Sequence, residues 1–213
     1  HDAARRELAE RALGQGTSPI GEPSRSAGRD AAAVAARSLD SFEWHGGEEL
    51  AYPVDCEPND TALVLYTSGT TGKPKGAAIS HASLLLHTTL LVQHALGLTP
   101  EDRVLCPLPL SHSYGCRLGL LAPFYAGARV VVMPRFEAER SFRALHDEAI
   151  SWLPAVPTMF AAWGQLEAAK APERLRWALC AGAPLGLAVA ERAELKLGAP
   201  VRQGYGMTEA TFC

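Results

Sequence analysis

The run Thr67-Ser68-Gly69-Thr70-Thr71-Gly72-Lys73-Pro74-Lys75-Gly76 crowds three glycines, four hydroxyl side chains and two lysines between two apolar segments. Glycine lets successive backbone N–H groups turn inward toward an anion, and the hydroxyls and ammonium groups add donors. The run therefore reads as a loop that holds polyphosphate, hung from a buried strand at Ala62 to Tyr66. It is not a Walker A loop. The glycine required five positions before Gly72 is Thr67, and the Ser or Thr required after Lys73 is Pro74. The plain alternative is a polar surface turn rich in Gly and Thr.

Around this loop the chain alternates strands and helices. Strands are expected at Ala62 to Tyr66, Gly76 to Ile79, Arg103 to Cys106, Arg129 to Met133, Leu175 to Cys180 and Val201 to Gln203. Helices are expected at Asp2 to Leu13, Asp30 to Leu39, His81 to Leu96, Arg117 to Tyr125, Glu137 to Ile150, Thr158 to Ala169 and Leu187 to Leu197. Ser80 is the N-cap and Gly97 the terminator of the third of these. The alternation predicts an α/β fold, a mostly parallel sheet flanked by helices. In such a sheet ligands bind where loops leave the carboxyl ends of strands, so four loops could face one crevice.

Residues 1–60 read as an incomplete leading segment with helix and linker, and 61–213 as the nucleotide-binding α/β part. The 47% hydrophobic share is ample for a core, and a net charge of −3 gives no electrostatic case for a nucleic-acid partner. Five cysteines without C-x-x-C spacing suit reduced thiols in the cytoplasm better than disulfides or zinc. The longest apolar stretches are broken by His, Gln, Pro, Gly and Arg, so no membrane span is expected. His81, His87 and His94 share one helix at spacings that favour a structural role over metal binding.

Three further segments complete the pattern: Pro107-Leu108-Pro109-Leu110-Ser111-His112-Ser113-Tyr114-Gly115, Cys180-Ala181-Gly182-Ala183-Pro184-Leu185 and Gln203-Gly204-Tyr205-Gly206-Met207-Thr208-Glu209-Ala210. With Tyr66 to Gly76 they resemble, in order, the motifs of the adenylate-forming superfamily, in the manner of AMP-binding acyl-CoA synthetases. The resemblance implies a part of the large N-terminal domain of such an enzyme.

It also implies a reaction. A carboxylic acid attacks the α-phosphate of ATP to give an acyl adenylate and pyrophosphate, and the acyl group passes to the thiol of coenzyme A or of a carrier protein's phosphopantetheine. Thr67, Ser68, Gly69, Thr70, Thr71, Gly72, Lys73 and Lys75 would hold the phosphates. Gly182, Ala183 and Pro184 would lie on one side of the adenine, with Tyr205 and Gly206 on the other. Thr208 would bond the α-phosphate, Glu209 would hold Mg2+, and His112 would stand where the acid approaches. Lys75, His112, Thr208 and Glu209 are thus the expected catalytic set.

Each side chain has a plainer reading. Glu209 could favour a helix N-terminus, His112 could be a hydrogen-bonded loop histidine, and Tyr205 could pack its ring. By resemblance, the ribose-binding acid and a late lysine would lie beyond Cys213, and the leading segment is short for the family. The chain is therefore expected to be truncated, and its rival role is that of an inactive fold acting as a binding or assembly module.

Overall fold

The computed structural model describes residues 56–67, 74–167 and 170–210. The helices expected at Asp2 to Leu13 and Asp30 to Leu39 lie outside the described residues. The chain divides into two units, His1–Glu57 and Pro58–Cys213, and every described element belongs to the second.

Strands β1 (Thr61–Thr67) and β2 (Lys75–Ser80) pair antiparallel as a two-stranded sheet of their own. The expectation of a buried first strand is thereby corrected: Leu65 is buried, whereas Val64 and Tyr66 are exposed. An apolar run does not by itself say how many faces are covered. Side chains alternate across a strand, so Leu63, Leu65 and Thr67 share one face while Val64 and Tyr66 share the other. Thr67 stands opposite Lys75.

The second sheet is parallel throughout, in the order β4 (Arg129–Val132), β3 (Arg103–Cys106), β5 (Trp152–Ala155), β6 (Trp177–Cys180), β7 (Val201–Gln203). Strand β5 is not among the expected strands, and it holds Pro154, a residue that disfavours a central strand. The structure accommodates it by letting the ladder to β3 stop early. Those strands pair only at Val104 and Trp152, ahead of the residue that has no N–H to give.

Helix α1 (His81–Leu90) starts at Ser80, whose Oγ accepts from Ser83 N at 3.2 Å. It widens into π-helical turns over Leu91–Leu96 and ends at Gly97, which takes the left-handed φ of 57° that glycine tolerates. A second π-helical segment, Gly115–Leu121, runs into α2 (Ala122–Ala126). Three further helices follow, α3 (Ala138–Asp147), α4 (Pro157–Gly164) and α5 (Leu187–Leu197). Helix α4 stops at Gly164, short of the expected Ala169, where Gln165 caps it.

The chain moves one way from β3 to β4 and the opposite way from β5 through β7. Right-handed crossovers, the nearly universal hand, then put α2 on one face of the sheet and α3, α4 and α5 on the other. The packing agrees: α4 touches α3 and α5, and α2 touches α1 and its π-helical extension. Between the layers Trp152, Leu153, Phe160 and Trp163 are fully buried. Trp163 meets Phe160 and Phe136 edge-on at 5.5 and 5.4 Å, and its indole N–H donates to Ser141 Oγ at 2.9 Å.

The amino ends of the strands are clasped by Asp102, which is 5% exposed. Its carboxylate accepts from Ser151 Oγ at 2.6 Å, Thr99 N at 2.8 Å and Arg176 Nη2 at 2.9 Å. Asp102, Ser151 and Arg176 each sit one residue before a strand, so a single buried charge joins β3, β5 and β6. The opposite, carboxyl edge is left to the loops.

Candidate active site

The reversal of winding direction falls between β3 and β5, the position at which open parallel sheets form a crevice outside their carboxyl ends. Three of the four expected loops leave that edge, after β3, β6 and β7. The fourth does not: the glycine-rich run joins β1 to β2 in the antiparallel hairpin, which corrects the picture of four loops on one sheet. Among the described residues, its flank is tied to the others by one side-chain hydrogen bond. Thr67 Oγ1 donates to Glu209 Oε1 at 3.5 Å, the long limit of a hydrogen bond.

That contact orders the charged groups. Directly opposed residues of an antiparallel pair project to the same face, so Lys75 lies on the Thr67 side of the hairpin and hence on the Glu209 side. Lys75 and Glu209 are both exposed. Ser68, Gly69, Thr70, Thr71, Gly72 and Lys73 lie outside the described residues.

After β6, Gly182 takes a φ of 89°, which disfavours any side chain, and exposed Ala183 and Pro184 follow it. After β7, Gly204 N donates to Cys180 O at 2.8 Å and so joins the roots of the two loops. Tyr205 is 75% exposed, so its ring does not pack into the core and the plainer reading of it is set aside. Gly206 and Thr208 are half-buried beside it, and Glu209 sits in a turn rather than at the start of a described helix.

The loop after β3 is the most tightly built. His112 N donates to Pro109 O at 3.2 Å and His112 O accepts from Cys116 N at 2.9 Å. The His112 ring is exposed, and its Nδ1 accepts from Tyr114 N at 3.1 Å. In the neutral ring the proton is then on Nε2. A Cβ on Gly115 would lie 2.2 Å from Pro109 O, so the bend closes only on glycine.

Tyr114 stands within the Pro107 to Gly115 motif and carries no expected role of its own. The structure buries it to 2% exposure and hangs its hydroxyl from Leu179 O at 2.7 Å and Ala155 O at 3.3 Å. Burial raises its pKa well above the ordinary tyrosine value, so the hydroxyl stays protonated and a donor. Helix α1 is braced nearby. His87 Nδ1 accepts from the buried Arg117 Nη2 at 2.8 Å, and Thr89 Oγ1 bonds Tyr125 Oη at 3.0 Å. Burial lowers Arg117 to about 10, which leaves it charged at neutral pH. Among the described residues no group of three metal-ligating side chains converges.

An open parallel sheet that carries a histidine loop and two glycine-bearing loops at the carboxyl edge of its switch point defines a ligand-binding class of α/β protein. The chain belongs to the AMP-binding enzyme family of the adenylate-forming superfamily, whose family model matches residues 8–213. It is 35% identical over 160 residues to 4-coumarate–CoA ligase 1 of Oryza sativa subsp. japonica, covering 72% of this chain and 28% of that protein. It is 36% identical over 154 residues to sulfoacetate–CoA ligase of Cupriavidus necator, covering 72% of this chain and 30% of that protein. Among solved structures, O-succinylbenzoate coenzyme A synthetase from Bacillus subtilis, in complex with ATP and magnesium ion, superposes with a TM-score of 0.65 at 35% identity. That match covers 73% of this chain and 32% of that one. The N-terminal domain of FACL13 from Mycobacterium tuberculosis gives a TM-score of 0.69 at 28% identity, covering 75% of this chain and 40% of that one. The chain thus spans about three tenths of the length of these curated relatives.

Among the described residues no helix is long and apolar enough to cross a membrane.

Proposed function

We propose that the protein carrying this chain is an AMP-forming acid–thiol ligase, which joins a carboxylic acid to AMP and then to a thiol. Residues 61–213 supply the nucleotide site. The observation that carries this reading is the Thr67–Glu209 contact, which brings the flank of the phosphate loop to the Thr-Glu motif with Lys75 on the same side.

In this reading Lys73, Lys75 and the backbone N–H groups of Ser68 to Gly72 cradle the β- and γ-phosphates. Thr208 donates to the α-phosphate. The exposed ring of Tyr205, with Gly206, and the Gly182-Ala183-Pro184 backbone take the two faces of the adenine. His112 directs its Nε2–H toward the place where the acid carboxylate meets the α-phosphorus. Two anions must approach there, so preorganised donors matter more than a protein nucleophile.

Magnesium fits the residues present. A carboxylate beside a hydroxyl is a hard oxygen set, and one carboxylate together with substrate phosphates is the usual protein share for this ion. Glu209 would hold it. When bound, it draws charge from the phosphate oxygens as pyrophosphate leaves.

The acyl acceptor is the thiol of coenzyme A or of a carrier phosphopantetheine, and free cysteines suit a cytoplasmic setting. Calorimetric titration of the chain with MgATP tests the reading. Heat of binding is expected, with Lys75→Ala and Glu209→Ala each weaker by about tenfold or more, as loss of a charge-assisted contact implies. No heat, or equal heats in all three, would overturn it in favour of a fold serving assembly alone.

A further inference from the structure

We propose that Tyr114 is a positioning residue that locks His112 in its Nε2–H tautomer and ties the acid-facing loop to the strand that feeds the adenine-facing loop. The functional names of those two loops rest on the reading above; the lock itself is geometric.

Two ends of Tyr114 act at once. Its backbone N–H donates to His112 Nδ1 at 3.1 Å, which leaves the imidazole only one nitrogen to carry a proton. Its phenol reaches the opposite way, beneath the loop, to Leu179 O at 2.7 Å and Ala155 O at 3.3 Å. A hydroxyl has one proton, so Leu179 takes the bond and Ala155 shares it weakly. Both carbonyls lie at the carboxyl ends of their strands, β6 and β5, the latter bordering the switch point. Leu179 is followed by Cys180 and then by the Gly182 turn. The orientation of the His112 ring is therefore referred to the same strand end from which the Gly182-Ala183-Pro184 segment departs.

The surroundings leave the loop little freedom to find another pose. Pro109 O leaves no room for a side chain on Gly115, His112 is bonded through both its N–H and its carbonyl, and Tyr114 is 2% exposed. What remains adjustable is the imidazole itself, which is exposed and could turn. The Tyr114 N–H is the contact that chooses its tautomer, and the phenol, together with those loop bonds, holds the direction of that N–H.

The test is nitrogen-15 imidazole spectroscopy of the 213-residue chain without nucleotide, with the His112 signals assigned from His112→Gln. The wild type is expected to show His112 as a single Nε2–H tautomer. Tyr114→Phe keeps the backbone N–H but loses the phenol's hold on its direction, and the ratio of tautomers is expected to fall by up to about tenfold, the effect of losing the N–H bond to Nδ1 altogether. Circular dichroism reports whether the variant is folded. A folded Tyr114→Phe that keeps the pure Nε2–H form would overturn the proposal.

Should that variant not fold, the unmutated chain decides. A Tyr114 hydroxyl proton that exchanges slowly with water, beside a pure Nε2–H ring, supports the lock. A rapidly exchanging hydroxyl or a mixed ring overturns it. No nucleotide is present in any arm, so these outcomes are independent of the MgATP titration.

Discussion

The Thr67 hydroxyl and the Glu209 carboxylate stand 3.5 Å apart although 142 positions separate them in the chain. One lies at the mouth of the lysine-bearing loop and the other in the Thr-Glu turn. Their meeting gives a side-chain link between the antiparallel hairpin and the crevice of the parallel sheet.

Glu209→Gln is expected to weaken ATP binding in magnesium by roughly tenfold while leaving binding in excess chelator unchanged, because only the charge that would face the cation is removed. Titrations with and without the metal check this. An equal loss in both conditions would place Glu209 on the nucleotide rather than on the ion.

Tyr205→Ala should separate affinity from stability. Its ring is 75% exposed, so unfolding free energy is expected to stay within about 0.5 kcal/mol of wild type. Loss of a stacking partner is expected to cost about 1 to 3 kcal/mol of nucleotide affinity. Denaturant unfolding and calorimetry, run on the same preparation, give the two numbers.

Gly115→Ala and Gly119→Ala should both destabilise, yet only one can be rescued. The new Cβ of the first would fall 2.2 Å from the Pro109 carbonyl oxygen, and that of the second 2.3 Å from Cys106 Sγ. Overpacking of this kind costs about 1 to 3 kcal/mol. Adding Cys106→Ala should recover much of the loss at Gly119 and none at Gly115, where the obstacle is main chain. A double-mutant cycle by thermal melting measures the coupling.

Asp102→Asn is expected to lose about 2 to 3 kcal/mol at pH 7, since the carboxylate accepts charge-assisted bonds within a buried clasp. Burial alone would raise its pKa, but bonds from Ser151, Thr99 and Arg176 and the Arg176 charge outweigh it, holding the carboxyl below its ordinary 3.8. A folded value below the unfolded one stabilises the native state above the ordinary range, and the benefit fades as pH falls through the folded value. The gap between wild type and variant should therefore narrow toward pH 3 in denaturant unfolding; a constant gap would contradict it.

Much of this was readable from residue order. Ser80 capping and Gly97 ending a helix, the strands at Arg103 and Arg129, and the parallel character of the sheet all follow from local chemistry that the fold leaves intact. Strand β5 was hidden because Pro154 penalises a central strand, a penalty that vanishes only once the register with β3 is known to stop at Trp152. The pairing of β1 with β2, rather than with the parallel sheet, is likewise a long-range matter on which an apolar pentapeptide is silent.

At the site, the Thr-Glu and glycine-bearing segments stand out by composition. The part played by Tyr114 does not, because its partners are carbonyls that every residue possesses. Only the topology says which two of them come within reach of the phenol.

The clasp at Asp102 and the loops that carry His112, Gly182 and Tyr205 occupy opposite rims of one slab, separated by strands of four residues or about 13 Å. Substitutions that far apart usually combine without interference. Heat resistance and the ligand preference of the crevice can thus be altered independently, each at its own end.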